Sequence, residues 1–291
     1  MLSIIVNGST TYSLDDGSLC LLRGYQGWGS LPLTRITDRG GQQDGDSDLG
    51  WAGDPRVASL TLKFPLTDLD DYYTSRDTLN RIFAPDNELI LTWALPYGNR
   101  YIDVKASGGI DLPWAARQWA QGDFLVVLRA SNPAFYDPDQ QAITFTVTGG
   151  GTGWAIPWAI PWGPGGSAID ETEYITYTGS YKSYPILRLQ GPLTDPVITH
   201  AVLGDTLDLT GSSIGGGAYY EIDCRYGYKR ILDNAGNDVT YKLSDDSDID
   251  TFRLDVDPIV PGGINPINVQ ASGANSSSAI YLRYYRYYTG V

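Results

Sequence analysis

Residues 56–66 read RVASLTLKFPL, and the alternation in them sets the class of structure. Ala58, Leu60, Leu62 and Phe64 take turns with Val57, Ser59 and Thr61, a period of two that puts the larger apolar groups on one face of a half-buried strand. The same rhythm recurs on either side. Residues 88–95 (ELILTWAL), the turn PYGN and residues 100–106 (RYIDVKA) read as strand, turn, strand. Residues 122–130 and 141–148 flank a bend in which Pro133 and Pro138 forbid continuous pairing. Together these runs predict a sheet-based N-terminal domain over residues 1–148.

Composition agrees. The 291-residue chain holds 34 glycines and 17 prolines, and of its acids and bases 30 are Asp against 4 Glu and 15 are Arg against 5 Lys. The long-chain helix formers are scarce and turn formers abundant, which excludes a mostly helical fold. With 42% hydrophobic and 12% aromatic residues the chain can build cores, so low-complexity disorder is excluded as well. One segment breaks the β rhythm: residues 67–83 (TDLDDYYTSRDTLNRIF) place Leu69, Tyr72, Tyr73, Leu79, Ile82 and Phe83 at helical spacing. Thr67 and Asp70 stand in capping-box positions and Pro85 ends the pattern, so one substantial helix is expected. Its apolar stripe is a sheet-packing face; Arg76, inside the stripe, is the residue placed to reach a neighbouring subunit.

Residues 149–167 (GGGTGWAIPWAIPWGPGGS) form a compositional break. Tandem WAIP units put Trp154, Trp158 and Trp162 four residues apart, and Pro157 and Pro161 favour an extended or turning backbone. Large exposed tryptophans are costly in water, so the segment reads as a fixed crossover docked on a surface and not as a free tether. Beyond it, residues 168–291 hold many short strands joined by Gly, Asn and Asp turns, among them YPILRLQG, PVITHAVLG, AYYEIDCRYG, DVTYKL, TFRLDV and AIYLRYYRYY. That is the pattern of an antiparallel sandwich. In its last strand Ile280, Leu282 and Tyr284 face one way as core, and Tyr281, Arg283, Tyr285 and Tyr287 the other, with the composition of an interface.

Chemistry is sparse. The single histidine, His200, excludes any site with two His ligands, and its place at a strand end before Gly204 reads as a surface or edge position. Cys20 and Cys224 have no ligand or redox spacing and read most simply as two reduced, semi-buried thiols; a disulfide between them is the alternative. Asp44, Asp46 and Asp48 resemble the start of a calcium loop, but Leu49 sits where that loop needs glycine and Pro55 where it needs a bidentate glutamate. The EF-hand reading therefore fails, leaving a looser calcium site or a solvated loop there and at residues 245–250. None of Glu88, Glu171, Glu173 or Glu221 lies in a glycosidase-like motif, and SSIGGGAYY lacks the lysine of a phosphate loop. No catalytic, cofactor or metal residue is assigned, and the chain is not expected to be an enzyme.

The net charge of -14 is evenly spread, -7 over residues 1–148 (11 bases, 18 acids) and -7 over residues 149–291 (9 bases, 16 acids). Such a field repels phosphate, so neither specific nucleic-acid binding nor anionic-membrane binding is expected. The opening MLSIIVNGSTTYSL has neither a basic n-region nor a long apolar run, so no export signal or membrane insertion is expected.

Four features in order resemble the distal tail (Dit) proteins of long-tailed phages, the siphovirus tail components. They are QDG at Gln43 followed by DPR at Asp54; the helix with Arg76, Leu79 and Ile82, then YGNRYIDV; FLVVLRASNPAFYDP at Phe124, then the GTGWAIPWAIPWG crossover; and GSYKSYPILRLQGPLTDPVI at Gly179, YYEIDCRYG, PGGINPINV at Pro261 and the terminal YLRYYRYY. The resemblance spans nearly the whole chain. It departs from the family in the crossover tryptophans, where phenylalanine is usual, and at His200, where asparagine is common. It implies a mainly β protein with an N-terminal belt domain (1–148), the crossover (149–167) and a C-terminal galectin-like β-sandwich (168–291). The implied role is a structural hub: a hexameric ring in the virion at the distal end of the tail, assembled in the host cytoplasm. Its implied partners are the tail tube protein, the tail-associated hub protein, receptor-binding components and the tape measure protein, and its acidic surface would suit a channel through which DNA slides. The alternative is a carbohydrate-binding module that recognises host cell-surface glycans through the C-terminal sandwich.

Overall fold

The computed structural model describes residues 2–42, 44–64, 69–110, 123–147 and 168–291. In chain order its elements are β1 (Leu2–Val6), β2 (Thr10–Ser13), β3 (Leu21–Gln26), β4 (Leu33–Asp38), β5 (Ser47–Gly53), β6 (Arg56–Lys63), α1 (Leu69–Ile82), β7 (Leu89–Leu95), β8 (Gly98–Ala106), β9 (Asp123–Ala130) and β10 (Phe135–Tyr136). There follow β11 (Gln141–Thr146), β12 (Ile169–Thr176), β13 (Ile186–Gln190), β14 (Leu193–His200), β15 (Thr206–Asp208), β16 (Ser213–Ile214), β17 (Tyr219–Asp223), β18 (Arg230–Asp233), β19 (Ile264–Ser272), β20 (Ala279–Tyr284) and β21 (Tyr287–Tyr288). The chain divides into two compact units, residues 1–138 with 287–291, and residues 139–286.

In the first unit the sheet runs β2-β1-β7-β8-β9-β6-β3, with β10 bridging β8 and β21. Residues 56–63 alternate between buried and more exposed positions, as their period-two pattern predicts. Ala58, Leu60 and Leu62 of β6 are buried, and β9 lies alongside in register, Leu60 opposite Val126 and Leu62 opposite Phe124. These side chains share one core with Leu2 and Ile4 of β1, Leu91 of β7, and Ile102 and Val104 of β8. The helix contributes Tyr72, Leu79 and Ile82 to the same core, Tyr72 edge-on to Phe64 at 5.3 Å between centroids. Asp70 and Asp71 occupy its first turn, where the helix dipole favours them; the capping candidate Thr67 lies outside the described residues. Arg76 turns back along the helix, 3.4 Å from Asp77 and over the Tyr73 ring.

The second unit is a sandwich of two antiparallel sheets, β11-β20-β13-β17-β18 and β12-β19-β14-β15, with β16 added to β14. Leu187, Leu189, Ile222, Ile280 and Leu282 from one sheet and Ile198, Leu207, Ile267 and Val269 from the other form its core. As expected, Ile280, Leu282 and Tyr284 face inward.

The structure departs from the sequence reading in three places. The strand read at residues 141–148 as part of the N-terminal sheet is β11, which pairs with β20 throughout in the sandwich; alternation identifies a strand but not its partner. DVTYKL and TFRLDV are not strands. Of DVTYKL only Asp238 bridges, to Leu232, and its Oδ1 takes the Thr240 N–H as residues 240–242 turn into a short 3-10 helix; of TFRLDV only Leu254 bridges, to Ser183. Finally, AIYLRYYRYY is two strands. β20 ends at Tyr284, and Tyr287–Tyr288 belongs to the first unit as β21, pairing with β10.

Candidate functional site

Each of the two cores buries a few polar side chains. In the first unit the most deeply buried polar side chain among the described residues is Arg56, the first residue of β6. Its Nε donates to Pro133 O (2.9 Å), one terminal nitrogen to Gly27 O (2.6 Å) and Gly29 O (3.1 Å), and the other to Thr289 O (2.9 Å), while the guanidinium lies over the Phe135 ring. Burial lowers its pKa, yet with four carbonyls around it and no carboxylate the group acts as a cross-link. It ties together the loop after β3, the bend before β10 and the chain terminus. Gly27 is required there, because φ is +80° and a Cβ would meet Val57 O at 2.7 Å.

Arg100, the third residue of β8, completes this anchor. It is buried, and its guanidinium stacks on Tyr288 of β21 at 3.4 Å from the ring centroid. Trp28, Trp93 and Phe135 pack beside it with centroids 5.0–6.4 Å apart, and Trp28 Nε1 donates to Ser59 O. Residues 287–291 are thereby fastened to the sheet of the first unit by two arginines that sequence reasoning passed over. The signal was present. Arg56 lies two residues before Ala58, and Arg100 two before Ile102, each on the core face of its own strand.

His200 is likewise placed otherwise than expected: it is fully buried in the sandwich. The Leu203 N–H donates to Nδ1 (3.2 Å), so the ring proton sits on Nε2 and is donated to Asn265 Oδ1 (2.9 Å). Asn265 in turn accepts from Asp255 N–H and donates to Asp255 O and Gly263 O, satisfying the whole amide. The histidine stands two residues beyond Ile198 on β14, and its period rather than its neighbouring turn decides its side. Fully spent on structure, it is not poised for acid–base work.

The remaining candidates are also committed. Cys20 and Cys224 are both free thiols, one in each unit. Burial pushes Cys20 up to about 12 and Cys224 strongly upward, so neither presents a thiolate. Asp48 pairs with Arg35 at 2.9 Å and accepts from Gly50 N–H, while Asp248 accepts from Thr206 N–H and Asp250 stands 3.6 Å from Lys229. Among the described residues no group of three or more His, Cys, Asp or Glu is arranged to hold a metal. Glu221 pairs with Arg283 at 2.7 Å on the outer face of the sandwich, where Arg188 also stacks on Tyr219, so the Tyr/Arg face of β20 is half-buried and internally paired. A shallow pocket lined by Asn80, Phe83, Pro85, Ala106 and Ile110 holds no ionisable side chain. No helix of the described chain is long and apolar enough to cross a membrane. The crossover at residues 149–167, with its three tryptophans, lies outside the described residues.

What the molecule does offer is surface. In the first unit β4 and β5 form a two-stranded sheet of their own, with Leu33, Ile36, Leu49 and Trp51 exposed. Val57 and Leu125 are exposed on the outward face of β6 and β9. In the second, Tyr174, Tyr226, Tyr228 and Tyr241 stand in solvent. Exposed aromatic and branched apolar groups on rigid sheets are suited to contacts between proteins.

No protein-family model and no curated protein sequence matches the chain. Solved structures do. The Dit (gp 19.1) protein of phage SPP1, described as a paradigm of the hub adsorption apparatus in phages infecting Gram-positive bacteria, superposes with a TM-score of 0.62 at 12% identity over 98% of each chain. A chain of the phage P2 baseplate, in its activated conformation with Ca, superposes with a TM-score of 0.50 at 11% identity, again over 98% of each. Agreement over both units and nearly the full length identifies the architecture: the protein has the mainly β fold of a phage Dit hub protein.

Proposed function

We propose that this protein is a structural hub of a phage tail tip. Its first unit would close the belt of a hexameric ring, and its sandwich would carry peripheral tail-tip or receptor-binding components. The observation that carries this reading is the full-length match to the SPP1 hub protein in both units. The chemistry is in keeping with it: buried His200, Arg56 and both thiols are spent on structure, while apolar and aromatic groups are left on the surface. On this reading the chain is not an enzyme, it resides in the virion at the distal end of the tail, and its neighbours include the tail tube protein. The net charge of -14 suits a conduit that DNA passes without adhering, because like charges lower binding.

The test is immunogold labelling of virions that carry this chain, with antibody raised against the purified protein. Gold is expected at the tail end remote from the capsid. Label on the capsid or along the whole tube overturns the proposal.

A further inference from the structure

The chain holds a single Asn–Gly pair, Asn7–Gly8, and the fold places it in the turn between β1 and β2. Both residues are exposed and both take left-handed backbone angles, φ +49° and +65°, with the Ser9 N–H closing the turn on Val6 O at 3.1 Å. Asparagine and glycine are the residues that adopt this turn at least cost. Glycine puts no side chain beside its own nitrogen, so the Gly8 amide can close on the side-chain carbonyl of Asn7 and expel ammonia, the route that makes asparagine a thermally labile residue. The Gly8 N–H makes no hydrogen bond among the described residues, so its nitrogen is unoccupied. Asp16–Gly17 differs: there the Gly17 N–H donates to Cys20 O, and Asp16 Oδ1 takes both the N–H and the hydroxyl of Ser18.

The Asn7 amide is tied down at both ends. Its Oδ1 accepts the Glu88 N–H at 2.9 Å, and its Nδ2 donates to Asn87 Oδ1 at 3.1 Å. A backbone N–H can only donate, so Glu88 fixes which end of the Asn7 amide is oxygen. Asn87 is oriented in the same way. Its Nδ2 donates to Arg81 O (2.7 Å) and Ile82 O (2.9 Å) at the end of α1, which leaves its oxygen to Asn7. The Asn7 main chain adds its own N–H to Glu88 O at 2.8 Å, so the turn is fastened to the segment between α1 and β7. Ring closure needs Cγ to rotate onto Gly8 N and Nδ2 to leave, and each movement breaks one of the two side-chain bonds.

We propose that Asn7 is a deamidation site of this protein, and that Asn87 and Glu88 form the clasp that holds the reaction back in the folded chain. In the reaction Gly8 N gives its proton to solvent and bonds to Asn7 Cγ. The Cγ–Nδ2 bond then breaks, and the nitrogen takes a proton from solvent and leaves as ammonia, so that a succinimide ring remains. Water adds to either ring carbonyl and opens the ring to aspartate or to isoaspartate, in which the chain runs on through the former side-chain carbonyl. One water enters and one ammonia leaves, with no change of oxidation state. Either product sets a carboxylate against Asn87 Oδ1 where the amide had donated, and isoaspartate also lengthens the backbone of a turn that the β1–β2 pairing requires. The modification therefore opens the clasp that had prevented it.

The test incubates the full-length protein in mildly alkaline buffer, native and in guanidinium chloride. Mass spectrometry follows the peptide that contains residue 7, and labelling by isoaspartyl methyltransferase reads the isoaspartate formed. In the denatured chain Asn7 should convert ahead of every other asparagine, and in the native chain at least about tenfold more slowly, because only local opening frees its amide. Asn87→Ala removes the acceptor of Nδ2. Compared with the parent at temperatures equally far below their own unfolding midpoints, it should convert Asn7 at least about fivefold faster while native. Equal rates in the native and denatured parent overturn the clasp, and this comparison requires no variant to fold. A native Asn87→Ala protein that converts no faster than the parent also overturns it. Another asparagine converting ahead of Asn7 in the denatured chain, or no conversion there, overturns the site itself.

Discussion

His200 Nε2 donates to Asn265 Oδ1 over 2.9 Å, with both side chains sealed inside the sandwich. The bond joins the end of β14 to the start of β19, and the amide it feeds holds Asp255 and Gly263 in place. Replacing His200 with Ala leaves the Leu203 N–H without its acceptor, deprives Asn265 of a donor and opens a cavity. A loss of about 3 kcal/mol is expected in urea unfolding, and His200→Gln, which keeps a donor, should lose less. A His200→Ala variant within about 0.5 kcal/mol of the parent would contradict this account of the buried network.

Arg56 is expected to hold the chain terminus. Arg56→Met orphans four carbonyls, and Arg56→Lys concentrates its donors at one point, where they cannot span Pro133, Gly27, Gly29 and Thr289 together. Both should destabilise the protein, by about 3 kcal/mol or more for Met. Carboxypeptidase digestion followed by mass spectrometry reads the local effect: residues 287–291 should be released at least tenfold faster from Arg56→Met than from the parent. Equal release rates would mean that the guanidinium does not secure the terminus.

Cys20 supplies a pH dependence. Its thiol is raised to about 12 from an ordinary 9.0, chiefly by burial and further by Asp16 and Asp15. The unfolded chain therefore loses this proton more easily. The contribution to stability is complete below pH 9 and is lost as pH rises from about 9 toward 12, with a slope of about 1.4 kcal/mol per pH unit for one group. Cys20→Ala should reduce the slope of that part of the stability curve, measured by urea unfolding between pH 8 and 10.5, and Cys224, also raised by burial, should supply the slope that remains. Native protein should also resist maleimide at pH 8 and react fully once unfolded; rapid native labelling would contradict the burial.

Much of the β architecture was legible because period-two alternation reports burial directly. Residues 56–66 gave the inner and outer faces of β6, and residues 280–284 those of β20. Pairing partners were not legible, since β11 alternates equally well whichever sheet it joins, and its long-range contact with β20 leaves no local mark. The buried polar residues were misjudged for a different reason. The turn after His200 suggests a surface position, but Ile198 two positions earlier puts it on the core face, as Ala58 and Ile102 do for Arg56 and Arg100. DVTYKL pairs only at Asp238, because the chain turns into a 3-10 helix over residues 240–242, with Asp238 Oδ1 taking the Thr240 N–H.

The mass of the purified protein by multi-angle light scattering, read with class averages of negatively stained particles, tests the hub account most directly. The account predicts six times the 31.8 kDa chain mass, about 190 kDa, and ring-shaped particles with six-fold symmetry. A 31.8 kDa monomer at every concentration, with no ring in the images, would contradict it.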